Sequence, residues 1–142
     1  MANNYTIALE ELSTKEDIDQ IEAGLTRYNR SKSNLSQPQD LSLLIRDSAD
    51  KIWGGLFGIT SGKRLYVDML WLDQTIRHQG YGSKLMHMAE QEAIARGCTL
   101  AYLDTASFQA PEFYRKMGYE IFGEIQAPGE EFSISYFCKV LD

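Results

Sequence analysis

Apolar residues recur along this chain in two rhythms, one helical and one alternating, and each stretch predicts an element. Ile18, Ile21, Leu25 and Tyr28 fall at i, i+3, i+7 and i+10, the spacing of one helical face. Thr14 followed by Asp17 marks the start of that helix, which is expected to end near Arg30. A second helical stripe runs through Gly82, Leu85, Met86, Ala89 and Ala93. Lys84, Glu90, Gln91 and Arg96 are assigned to its outward face, and Gly97 to a left-handed C-cap. A third, short helix is expected between Pro111 at its first turn and Gly118 at its end.

The remaining apolar runs read as strands. Residues 5–12 alternate loosely and predict an opening strand. Residues 41–46, 51–60 and 64–73 predict three more, joined by turns so short that the pairing must be antiparallel. Gly54, Gly55 and Gly58 weaken the middle one and predict a bulge or the close approach of another group. Residues 99–105 form a nearly continuous apolar run, reached from 64–73 through a helix, which predicts a right-handed parallel βαβ unit. Residues 119–125 and 132–140, joined across Pro128-Gly129, close the sheet. The polar stretch 31–39, with Pro38, is expected to be a mobile loop.

Composition narrows the class of protein. At 142 residues the chain is expected to form a single domain, residues 1–142, and 44% hydrophobic with 24% charged residues is the balance of a soluble globular protein. A net charge of −6 argues against a nucleic-acid partner, which needs a basic surface. No apolar run reaches the ~18–20 residues that span a membrane, and the N-terminal residues lack a secretory pattern. A cytoplasmic location is expected, with no membrane partner. Cys98 and Cys138 lack metal-ligand spacing and read as reduced thiols, and His78 and His87 carry no metal signature.

The stretch Arg77-His78-Gln79-Gly80-Tyr81-Gly82-Ser83 follows a strand and opens a helix. A helix N-terminus carries roughly half a positive charge and favours an anion. Two glycines there let backbone N–H groups face outward without a Cβ in the way. A P-loop would need G-x-x-x-x-G-K-S/T, and here the first glycine is missing. A dinucleotide turn would need glycine where Leu85 stands. The stretch is read as a cradle for a phosphate or pyrophosphate.

Together with Ala110-Pro111-Glu112-Phe113-Tyr114-Arg115-Lys116-Met117-Gly118-Tyr119, this R-x-x-G-x-G pattern resembles the GNAT superfamily of acyl-coenzyme-A-dependent N-acetyltransferases. The family's first motif, Q/R-x-x-G-x-G/A, wraps the pyrophosphate of coenzyme A. Its second, A-x-x-F/L-Y-x-x-x-G-F/Y, brings a tyrosine to the thioester sulfur. The resemblance covers essentially the whole chain. It implies a mixed α/β, GNAT-type fold: a mostly antiparallel sheet of six or seven strands with a parallel βαβ splay and three to four helices. It implies acetyl-CoA as co-substrate, no metal, and an amine acceptor, small molecule or peptide, attacking directly in a ternary complex. Homodimers are common among such proteins. A non-catalytic acyl-CoA sensor of the same fold is the alternative it leaves.

Carried onto this sequence, the resemblance gives the donor to the backbone of Arg77, His78, Gln79, Gly80, Tyr81, Gly82 and Ser83. The thioester carbonyl goes to N–H groups of Leu70, Trp71 and Leu72, where the strand splays. Tyr114 becomes the acid that protonates the thiolate. Alternation along the strand puts Tyr66, Asp68, Leu70 and Leu72 on one face and Val67, Met69, Trp71 and Asp73 on the other. Some relatives place a glutamate near the position of Tyr66, so Asp68 is the first candidate for the base. Asp73 and Asp104 are candidates that act through water. Ser107 stands where the family often has an asparagine that contacts the pantetheine arm. The acceptor is expected to meet residues 26–39 and 125–132, whose Tyr28, Asn29, Asn34, Glu130 and Glu131 suit a polar amine.

Overall fold

The computed structural model describes residues 4–34 and 37–142. The chain forms two compact units, Met1–Leu35 and Ser36–Asp142. The first holds one helix, α1 (Lys15–Lys32), which starts where its cap predicts: Thr14 Oγ1 accepts the Asp17 N–H at 3.2 Å. Glu16 and Asp17 in the first turn and Arg30 and Lys32 in the last complement the helix dipole. The helix runs past Arg30 and takes in the start of the expected 31–39 loop, while Gln39 already belongs to a strand. Leu35 and Ser36 lie outside the described residues. Residues 4–10 are irregular, so the expected opening strand does not form. Its alternation is loose, and loose alternation over so few residues is a weak strand signal.

The second unit is a six-stranded sheet with two helices. In chain order its elements are β1 (Gln39–Arg46), β2 (Ile52–Ser61), β3 (Arg64–Leu72), α2 (Tyr81–Ala95), β4 (Leu100–Ala106), α3 (Pro111–Lys116), β5 (Glu120–Ile125) and β6 (Ile134–Val140). The strands lie in the order β1-β2-β3-β4-β6-β5. Every neighbouring pair is antiparallel except β3 and β4, which are parallel across the α2 crossover, as the sequence predicts. The core is built by Leu85, Met86, Ala89 and Ala93 of α2 with Leu41, Leu56, Leu65, Val67, Leu103 and Phe137 of the sheet. Fully burying a side chain such as Leu56 or Phe137 stabilises by about 1.5–3 kcal/mol.

Two departures from regularity shape the sheet. Gly58 pairs with Val67 and Phe57 with Met69, so Asp68 is an extra residue on β3, a bulge of the kind the β2 glycines predict. A Cβ on Gly58 would stand 2.8 Å from the Tyr66 carbonyl oxygen, and one on Gly55 2.6 Å from that of Leu43. The bulge resets the alternation. Leu65 and Val67 are buried, and past Asp68 it is Leu70 and Leu72 that pack on the same core. Tyr66 therefore does not share a face with Leu70 and Leu72, contrary to simple alternation.

The second departure is the parting of β3 from β4. They pair only at Arg64–Leu100, Leu65–Ala101 and Tyr66–Tyr102; beyond this β3 follows β2 while β4 follows β6.

Two residues assigned to the outward face of α2 turn inward. Glu90 is only 4% exposed, and Arg96, just past the helix, donates to the Gln39 and Asp40 carbonyls and to Thr60 Oγ1. In both cases a buried or half-buried polar partner outweighs hydration of the charge.

Candidate active site

The gap between β3 and β4 exposes one side of the β3 backbone. Asp73 N–H donates to the Trp53 carbonyl at 2.7 Å, which fixes the phase of the β2–β3 ladder. Amides two residues apart point the same way, so those of Trp71 and Met69 also face β2. Those of Leu70 and Leu72 face the gap, where β4 is no longer present to receive them. The structure thus brings Leu70 and Leu72 to the splay but turns the Trp71 amide toward Gly55. Arg77 Nε donates to the Leu72 carbonyl at 3.0 Å, so its guanidinium ties the following turn back onto β3.

That turn is held by its own side chains. Asp73 Oδ1 accepts from Thr75 N–H at 2.9 Å and from Thr75 Oγ1 at 2.6 Å, capping a 3-10 turn at Gln74–Ile76. These hydrogen bonds hold the Asp73 carboxyl below the usual carboxylate range. A carboxylate committed to capping is poorly placed to serve as a base. Gln79 Nε2 reaches back to the Thr75 carbonyl. His78, at φ 62°, and Gly80, at φ 87°, then take left-handed conformations that swing the chain into α2; the first is costly for a residue with a Cβ. The first helical bond is Lys84 N–H to Gly80 O at 3.1 Å. The N–H groups of His78, Gln79, Gly80, Tyr81, Gly82 and Ser83 meet no acceptor among the described residues. Six amides at the positive end of a fifteen-residue helix suit a polyanion.

Gly82 has a different role from Gly80. A Cβ on it would sit 3.3 Å from the Phe113 ring and 3.7 Å from Leu72 Cδ1, so it lets α3 and β3 close on the first turn of α2. Tyr114 follows Phe113 in α3. Its ring packs edge-on to Phe113 and Tyr119, with centroids 5.1 and 6.2 Å away, and lies 6.0 Å from Phe137. The hydroxyl has no hydrogen bond among the described residues and is not sealed from solvent. Burial pushes this phenol above its ordinary range, so it stays protonated at neutral pH.

Other candidates sit around the gap. Asp68 projects, exposed, from the bulge. Tyr66 Oη donates to Asp104 Oδ1 at 2.7 Å, linking β3 to β4 past their last paired residues. That bond, then burial and the charges of Asp104 and Asp68, raise the Tyr66 phenol. Ser107 Oγ accepts the Ser133 N–H at 3.2 Å, and the Ser107 N–H donates to the Ser133 carbonyl, so Ser107 anchors the loop after β5.

The sequence pattern assigns Gln109 no role and Glu90 an outward face, yet both make internal hydrogen bonds. Gln109 Oε1 accepts from Thr105 Oγ1 and the Ala106 amide, closing the end of β4. Glu90 accepts from Tyr119 Oη at 2.7 Å and Lys139 Nζ at 2.9 Å. Its signal was present: Glu90 lies four residues after Met86 and three before Ala93, inside the apolar stripe.

Comparison with known proteins gives the chain a family. Residues 7–119 match the model of the acetyltransferase (GNAT) family. An acetyltransferase of Agrobacterium fabrum is 36% identical over 115 residues, 81% of this chain and 84% of its own length. The crystal structure of an acetyltransferase from Bacillus cereus superposes with a TM-score of 0.82 at 36% identity, covering 94% of this chain and 98% of that one. An aminoglycoside 6'-N-acetyltransferase complexed with coenzyme A shares the fold, with a TM-score of 0.66 at 18% identity over 97% of this chain and 98% of its own. The family match, the identity and the shared fold together show that the chain is an acetyltransferase of the GNAT family.

Proposed function

We propose that the protein transfers the acetyl group of acetyl-CoA to an amine, by direct attack within a ternary complex. The observation that carries this reading is the gap beside β3. It presents the Leu70 and Leu72 amides without a ladder partner, next to the unpaired amides of residues 78–83. Acetyl-CoA supplies an acyl group activated as a thioester. The amides of the turn suit its diphosphate, and left-handed Gly80, with open space where a Cβ would be, allows close approach. The Leu70 and Leu72 amides suit the thioester carbonyl and the amide groups of an extended arm; fixed donors of this kind stabilise charge that develops on an oxygen. Ser107, through its hydroxyl proton, is a further donor to that arm.

Tyr114 is proposed to give its proton to the departing thiolate. Ordinary phenol and thiol pKa values lie within ~1.5 units, which suits a shared proton. Asp68 is proposed to receive the proton of the attacking ammonium, directly or through water. A covalent relay through Cys98 is disfavoured, because Cys98 is buried and burial pushes its thiol up.

The test is thiol release from acetyl-CoA across polyamines, aminoglycosides, amino acids and peptides with free N-termini. Tyr114→Phe is expected to lower kcat by roughly 10²-fold or more while the coenzyme A Kd is unchanged. A Phe variant that turns over at full rate removes Tyr114 from the mechanism. Failure of every amine removes the acyltransfer reading itself.

A further inference from the structure

We propose that Glu90, acting through Tyr119, aims the Tyr114 hydroxyl at the reacting centre, which makes Glu90 and Tyr119 positioning residues. The inference rests on the preceding assignment of Tyr114 as the acid.

The Tyr114 hydroxyl makes no hydrogen bond among the described residues, so ring packing is what directs it. Of the rings that Tyr114 touches, Tyr119 is the one that a side-chain hydrogen bond also ties in place. It is 2% exposed; its hydroxyl donates to Glu90 at 2.7 Å, its N–H donates to the Tyr114 carbonyl at 3.0 Å, and the Lys139 ammonium lies 5.6 Å over its face. Lys139 in turn pairs with the other Glu90 oxygen at 2.9 Å, and its stem runs 3.5 Å from where a Gly118 Cβ would be. The chain of contacts therefore runs from α2, whose first turn forms the proposed donor cradle, through Glu90 to Tyr119 and so to Tyr114. Stability alone does not call for this arrangement, because well-packed apolar residues in place of a buried ion pair are often as stable or more so. What the ion pair and its tyrosine add is a directional link between the helix of the proposed donor cradle and the ring proposed to protonate the thiolate.

Tyr119→Phe deletes one oxygen and leaves the ring. It is expected to lower kcat ~10-fold with the KM for acetyl-CoA within ~2-fold, and to change kcat less than ~2-fold when added to Tyr114→Phe. An equal loss in both backgrounds, or none in the first, overturns the inference. Glu90→Gln, which keeps an acceptor for Tyr119 but loses the ion pair, serves as a second variant should Tyr119→Phe not fold. Tyrosine ζ-carbon NMR gives a readout independent of turnover. The Tyr114 resonance should shift or broaden in Glu90→Gln and that of Tyr66 should not; an unmoved Tyr114 overturns the link. If no amine serves as acceptor the acyltransfer reading fails, while the resonance still decides this one.

Discussion

Asp68 is one residue more than β2 can match, and that surplus places two amides and a carboxylate at one gap. The effect was only half legible. Gly58 announced a bulge somewhere in the pair, but Met69 and Trp71 keep the run apolar through the phase change, so alternation gave no warning at Asp68. Glu90 failed for the opposite reason. A glutamate is usually read as a solvated face, although its spacing set it in the buried stripe. Tyr114 was readable because its neighbours form a motif, but the absence of any partner for its hydroxyl is tertiary information. At this scale Asp68→Asn is the informative change. It preserves size and so the bulge, and steady-state kinetics should show kcat/KM for the amine lowered ~10²-fold with acetyl-CoA binding intact. Full activity would exclude Asp68 as the base.

The elements were read best where a stop or start residue fixes them. Thr14 opens α1, Gly97 at φ 91° closes the turn after α2, Pro111 starts α3 and Gly118 at φ 93° ends it. Strand 5–12 was over-read, because local alternation does not supply a neighbour. The entry to α2 was read as a glycine turn, but the left-handed His78 was not foreseen, since the sequence offers no glycine there. One prediction belongs to the caps. Thr14→Ala removes the acceptor for the Asp17 amide, and should cost α1 about 1 kcal/mol. Hydrogen exchange in the first turn should then quicken ~5-fold, with amides of β4 and β6 unaffected as an internal control. Equal protection in the variant would show that the cap contributes nothing.

At the level of the whole molecule, the antiparallel run β1-β2-β3 and the single parallel crossover followed from turn lengths and one intervening helix. The shortness of the β3–β4 ladder did not, because no local pattern records where two strands separate. The buried phenols give the protein a defined alkaline limit. Burial raises Tyr114 and Tyr119 above the ordinary tyrosine value, with the Glu90 hydrogen bond adding to the second. Above ~10, where a tyrosine in the unfolded chain gives up its proton, the folded state still holds these two and binds more protons than the unfolded one. The contribution of these two phenols is therefore complete below ~10 and declines as pH rises beyond it. Urea midpoints should fall between pH ~9.5 and ~11, on top of the decline that the raised Cys98 thiol begins near ~8.5, and less steeply in Tyr119→Phe. A midpoint that holds at high pH in the native sequence would contradict the buried-phenol picture. No helix among the described residues is long and apolar enough to cross a membrane.

The parted strands carry a consequence for energetics. Three rungs are all that ladder β1-β2-β3 to β4-β6-β5, so the sheet behaves as two plates joined along a short seam. A guest sliding between them breaks no backbone bond, because folding has already met the cost of leaving the socket open. Its affinity is thereby relieved of a reorganisation that a closed sheet would impose at every turnover.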